Sequence, residues 1–103
     1  MQLADKVAIV TGAARGLGRA YCEAMAREGA AIVAADIASC DDTVNSITAA
    51  GGRAIAIHLD VANAENCEAM ASSAIDAFGR VNVLVNNAAL YAGLQGARFE
   101  HLD

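Results

Sequence analysis

The sequence predicts an α/β domain built on a doubly wound parallel sheet, and three observations lead there. Short apolar runs at residues 6–10, 31–35, 53–59 and 81–85 have strand length and strand composition. The stretches between them carry helical spacing and close on Gly29, Gly51-Gly52 and Gly79. Strand and helix then alternate along the chain without a proline, a low-complexity tract or a linker, which is the repeat unit of such a sheet. The 103 residues make one small domain at most, and an apolar share of 56% supplies a core and excludes disorder. Alanine, 26 of the residues, favours closely approaching helices over a bulky core.

The first strand, Lys6 to Val10, is apolar enough to be buried on both faces. It runs into Thr11-Gly12-Ala13-Ala14-Arg15-Gly16-Leu17-Gly18, a glycine-spaced turn that opens directly into a helix. Gly12 permits a turn conformation that a Cβ would oppose. Gly16 keeps no side chain between the main chain and a pyrophosphate, and Gly18 lets the helix start pack close to the strand. The unpaired amides at that helix start, at the positive end of its dipole, suit an anion. The spacing is Gly-x-x-x-Gly-x-Gly and departs from the more familiar Gly-x-Gly-x-x-Gly.

That first helix runs to about Glu28, with Leu17, Ala20, Tyr21, Ala24, Met25 and Glu28 as its predicted stripe. Packing is the role expected of Tyr21. A second strand, Ala31 to Ala35, is closed by Asp36, 18 residues beyond Gly18. This is close to the spacing of a ribose-binding acid in a dinucleotide fold, and its carboxylate can accept hydrogen bonds from ribose hydroxyls while repelling a 2′-phosphate. An ordinary solvated loop aspartate is the alternative. Arg15 could accept a 2′-phosphate, but Ile37 offers no second cation, so NAD is favoured over NADP.

A helix is expected over Asp41 to Ala50, then a third strand over Arg53 to Leu59, followed by Asp60-Val61. Asn63 is the expected N-cap of a helix that ends at Phe78, with Cys67, Met70, Ala71, Ala74, Ile75 and Phe78 on its buried face. The fourth strand, Val81 to Val85, leads into Asn86-Asn87-Ala88-Ala89. Leu90 to Asp103 lacks periodicity and reads as loop, with a helix beginning as the alternative. Right-handed crossovers place the first two helices on one face of a sheet ordered 3-2-1-4 and the third on the other.

Several function classes drop out on composition. A net charge of −5 with scattered basic residues argues against a nucleic-acid or anionic-membrane surface. No run reads as a membrane span, and the N-terminal residues carry no signal-peptide pattern, so a cytoplasmic protein is expected. Cys22, Cys40 and Cys67 are odd in number and widely spaced, which speaks against a disulfide framework or a zinc site. His58 reads as a hydrogen-bonded structural residue, and no metal site is expected.

Taken in order and spacing, the glycine turn, Asp36, Asp60-Val61 and Asn86-Asn87-Ala88-Ala89 resemble the short-chain dehydrogenase/reductase family across essentially the whole chain. The resemblance implies a Rossmann-like sheet, of which only part falls in this chain. It implies that Gly12, Arg15, Gly16, Leu17 and Gly18 surround the pyrophosphate and adenosine ribose, and that Asp36 holds that ribose and selects NAD. Asp60 would approach the adenine amino group with Val61 beside it. Asn87 and Ala88 would line the nicotinamide half, and Asn86 would tie the central strands together. The family usually has glycine where this chain has Ala89.

The resemblance also implies an NAD-dependent oxidoreductase of a secondary alcohol or ketone, commonly a homotetramer. Such enzymes use a serine and a Tyr-x-x-x-Lys helix, with the tyrosine as general acid/base. Neither is here: Met25 follows Tyr21 by four, Gln95 follows Tyr91 by four, and Lys6 is the only lysine. The expectation is therefore a cofactor-binding N-terminal part of a longer enzyme, inactive alone. A non-catalytic dinucleotide-binding module, or a structural fragment that ends at Asp103, is the alternative.

Overall fold

Strand β1 (Val7–Thr11) holds the centre of a four-stranded parallel sheet, seen in a computed structural model that describes residues 3–60 and 64–86. The other elements follow as α1 (Gly16–Arg27), β2 (Ala31–Asp36), α2 (Asp41–Ala49), β3 (Arg53–His58), α3 (Ala64–Phe78) and β4 (Val83–Asn86). The strand order is β3-β2-β1-β4, as the crossover argument requires.

Alternation along β1 and β2 divides the core into two layers. Ala8, Val10, Ile32 and Ala34 point to one face and pack with Cys22, Met25 and Ala26 of α1 and with Val44 and Ile47 of α2. Val7, Ile9, Ala31, Val33 and Ala35 point to the other and pack with Cys67, Met70, Ala74 and Phe78 of α3. Every residue of β1, and all of β2 except Asp36, is buried. Ile32, Val10 and Val33 are among the largest fully buried side chains, each contributing about 1.5–3 kcal/mol of transfer free energy.

Three sequence expectations need correction. Helix α1 does not bury the stripe through Leu17 and Tyr21; both are exposed, Leu17 at 55%, and Gly18 and Cys22 face the sheet. An alanine-rich helix has more than one apolar side, and close approach to the sheet selects the side with the smallest residues. Helix α3 buries Met70 and Ala74 as expected, but Ile75 is 51% exposed. Strand β4 starts at Val83, not Val81. The Asn82 side-chain oxygen accepts the Val7 N–H at 2.9 Å, and the Asn82 N–H donates to the Val7 carbonyl at 2.9 Å, so Asn82 opens the seam ahead of the regular ladder. His58 is exposed at the end of β3, in register with Asp36 of β2.

Helix ends fall where the glycines predicted. Gly29, Gly51 and Gly79 take φ of 101°, 92° and 87° just past α1, α2 and α3. The expected N-cap Asn63, the Asp60-Val61 pair beyond its first member, and everything from Asn87 onward lie outside the described residues. No described helix is long and apolar enough to cross a membrane.

Candidate functional site

Parallel register gathers the candidate residues at one end of the sheet. Thr11 of β1 stands beside Ala35 of β2 on one side and Asn86 of β4 on the other, and Asp36 stands beside His58 of β3. The turn after β1, Asp36, Asp60 and Asn86 therefore all lie at the carboxyl ends of the strands. The chain also reverses its direction of winding there, because β1 has β2 on one flank and β4 on the other. In open α/β sheets that crevice is where ligands bind.

The turn itself is built from backbone. Gly12 and Gly16 take φ of 67° and 62°, the left-handed region that L side chains rarely adopt. A Cβ built on Gly16 meets nothing within 4 Å, so open space lies against the main chain at the start of α1. Arg15 precedes the helix in an extended conformation and is exposed. It forms no side-chain cap, and the first turn of α1 contains no acidic residue. Helix geometry leaves the first backbone N–H groups without intrahelical acceptors, so α1 presents uncapped donors to that space. Gly18 is buried against the sheet, while Leu17 looks outward.

Asp36 is tied to the turn directly. Its Oδ2 accepts the Ala14 N–H at 3.0 Å, and its Oδ1 accepts the Ala38 N–H at 3.0 Å. The sequence treats this carboxylate as free for a ribose. The structure instead gives each oxygen one backbone donor. An ionised carboxylate has about four acceptor positions, which leaves room for two ribose hydroxyls on an already fixed group. Ile37, the next residue, is 64% exposed and brings no charge to the rim. Asp60 is half-buried just past β3, whose end is held to β2 by Leu59 N–H donating to the Asp36 carbonyl at 2.9 Å. Val61, Asn87 and Ala88 lie outside the described residues.

Two features of this region were not read from the sequence. Thr43, on the first turn of α2, is completely buried and donates its hydroxyl to the Ala13 carbonyl at 2.8 Å. The signal was available, since Thr43 and Ile47 share the inward side of α2 and a hydroxyl on such a side needs a partner. Cys40, just before α2, is also buried. Burial first, then the negative charges of Asp36 and Asp41, push its thiol up to about 11. Burial, with Cys40 and Glu23 adding to it, pushes Cys22 up to about 12. Both thiols are therefore protonated packing groups without nucleophilic character at neutral pH.

A parallel β3-β2-β1-β4 sheet with helices on both faces and a glycine turn at its winding switch defines a Rossmann-like α/β protein. The chain belongs to the short chain dehydrogenase family, whose model matches residues 6–103. An uncharacterized oxidoreductase of Methylorubrum extorquens is 44% identical over 105 residues, covering 97% of this chain and 42% of that protein. An L-rhamnose 1-dehydrogenase (NAD(P)(+)) of Azotobacter vinelandii is 42% identical over 96 residues, covering 87% of this chain and 38% of that protein. Among solved structures, a hydroxysteroid dehydrogenase from Escherichia coli superposes with a TM-score of 0.81 at 36% identity, over 82% of this chain and 37% of its own. The chain thus spans about two fifths of the length of these two curated relatives.

Proposed function

We propose that this chain is the dinucleotide-binding part of an NAD-dependent dehydrogenase that interconverts a secondary alcohol and its ketone. The observation that carries the reading is the bond from Ala14 N–H to Asp36 Oδ2, which fixes a carboxylate beside a glycine turn and an uncapped helix start. The three together match what a nicotinamide dinucleotide offers: a pyrophosphate for the α1 amides, and ribose hydroxyls for the remaining acceptor positions of Asp36. Gly12, Arg15, Gly16, Leu17 and Gly18 surround the phosphates and adenosine ribose in this reading. Asp60 and Val61 serve the adenine, and Asn87 and Ala88 the nicotinamide half. The bound cofactor supplies hydride acceptance and donation. The described residues bind and orient it.

Preference for NAD over NADP rests on Asp36 and on the uncharged Ile37. A 2′-phosphate would meet the Asp36 carboxylate with like charge, and no cation stands at position 37 to offset it. The catalytic serine and the Tyr-x-x-x-Lys pair belong, in this reading, to a further segment of a longer homo-oligomeric enzyme. The coverage of the relatives supports that reading.

The test is the affinity of the full-length protein for NADH and NADPH, measured by fluorescence titration. Wild type is expected to favour NADH by at least tenfold. The double change Asp36→Ala with Ile37→Arg is expected to reverse the preference, because position 37 is exposed enough to take the guanidinium. An unchanged NADH preference in that variant would show that Asp36 does not hold the ribose.

A further inference from the structure

Residues Ala13 and Ala14 form the stretch of the turn between Gly12 and Arg15, and three groups outside the turn hold them. Ala13 N–H donates to the Ala35 carbonyl at 3.1 Å, and Ala14 N–H donates to Asp36 Oδ2 at 3.0 Å; both acceptors belong to β2. The third tie comes from α2. Thr43 Oγ1 donates to the Ala13 carbonyl at 2.8 Å, with the Ala14 carbonyl a longer contact at 3.5 Å, across 30 residues of sequence.

We propose that Thr43 is a positioning residue for dinucleotide binding, acting through the Ala13 carbonyl on the glycine turn; the proposal rests on the dinucleotide reading of that turn. The peptide between Ala13 and Ala14 is held at both ends, its carbonyl by the Thr43 hydroxyl and its N–H by Asp36 Oδ2. Beside a pyrophosphate a carbonyl oxygen turned outward repels the anion, so the turn binds best with the Ala13 carbonyl held away from it. The Thr43 hydroxyl draws the Ala13 carbonyl towards the N-terminal turn of α2. Thr43 and Ala13 are both completely buried, so water does not substitute for the hydroxyl. Without it the carbonyl is a buried acceptor lacking a donor, a costly condition that rotation of the peptide would relieve. Rotation of that kind also breaks the Ala14 N–H bond to Asp36 Oδ2, and it turns the loop out of the arrangement in which the α1 amides and Asp36 face the ligand.

Substitution separates this role from simple packing. In the full-length protein, Thr43→Val keeps the shape and removes the hydroxyl, whereas Thr43→Ser keeps the hydroxyl and removes the methyl. NADH titration is expected to show roughly tenfold weaker binding for Thr43→Val, equivalent to about 1.4 kcal/mol, and binding within about twofold of wild type for Thr43→Ser. In turnover, KM for the dinucleotide rises in Thr43→Val while kcat at saturating cofactor and KM for the alcohol stay put. If Thr43→Val does not fold, Thr43→Ala against Thr43→Ser makes the same comparison, and binding that follows the hydroxyl supports the role. A Thr43→Val protein with lowered Tm but wild-type NADH affinity overturns it, as does equal weakening in Thr43→Ser. Wild-type protein that binds neither NADH nor NADPH overturns the dinucleotide reading itself, an outcome distinct from failure at Thr43 alone.

Discussion

Helices α1 and α2 lie side by side on one face of the sheet, and their first turns differ in charge. At α2 the Ser39 hydroxyl accepts the Asp41 N–H at 3.2 Å, and Asp41 and Asp42 place two carboxylates in the first turn. Neither N-cap residue, Arg15 or Cys40, forms a side-chain cap, so what sets α2 apart is the Ser39 hydroxyl one residue earlier and its own negative charge against the dipole. At α1 an extended arginine precedes two glycines and a leucine, with neither a side-chain cap nor an acid. On the dinucleotide reading, the contrast in charge favours α1 as the helix end that an outside anion would occupy.

Three variants of the full-length protein sharpen or break that contrast. The largest effect is expected from Leu17→Glu, which gives α1 the carboxylate that α2 already has. Position 17 is exposed, so the change is sterically free. Thermal unfolding should show a gain of about 0.3–1 kcal/mol from the dipole, while NADH binding weakens roughly tenfold because the new charge opposes the pyrophosphate. Weaker binding together with a higher Tm is a combination that damage to the fold does not produce. Unchanged NADH affinity would mean that the anion does not sit at α1.

Asp41→Asn with Asp42→Asn removes the charge from α2. The expected loss is below about 1 kcal/mol per site in denaturant unfolding, with NADH affinity unaltered. A loss of affinity comparable to that of Leu17→Glu would erase the distinction between the two ends.

The smallest effect concerns what keeps the helices abreast. Glu23 Oε2 accepts from Arg19 Nε and from Ser46 Oγ, each at 2.9 Å, joining α1 to α2. The Arg19 hydrogen bond first, and the Ser46 hydrogen bond second, hold the Glu23 carboxyl below its usual value of 4.5. A depressed carboxyl stabilises the fold above its unfolded pKa and loses that contribution as pH falls through the folded value. Ser46→Ala should therefore reduce stability by a few tenths of a kcal/mol at neutral pH and shrink the loss seen below about pH 4.5. Parallel pH–stability curves for the two proteins would remove Ser46 from this role.

Much of this was legible because it is carried by residue type at fixed spacing. The glycine turn, the helix-ending glycines, Asp36 at a strand end and the 3-2-1-4 order all follow from local rules and the handedness of crossovers. What escaped was decided by partners distant in sequence. Nothing near Thr43 announces that its hydroxyl meets Ala13, and nothing near Asn82 announces that its side chain meets Val7. Leu17 and Tyr21 were misplaced for a related reason: periodicity finds apolar sides of an alanine-rich helix, but the sheet decides which one approaches. Asp36 was found by position, yet its bonds to Ala14 and Ala38 needed the folded turn.

The place of β4 beside β1 has a consequence for the birth of the chain. Val7 meets Ala31 across 24 residues, but it meets Asn82 across 75. Closing the longer loop costs about 1 kcal/mol more chain entropy, a modest difference at equilibrium. On the ribosome the difference is one of time. Between synthesis of residue 36 and residue 86, roughly 3–10 seconds pass at ordinary elongation rates, and throughout that interval the central strand has one bare, apolar edge. Strand-hungry intermediates of this kind are what holding chaperones bind. A pause introduced into the codons for α3 should therefore lower the yield of soluble protein without altering one residue of it.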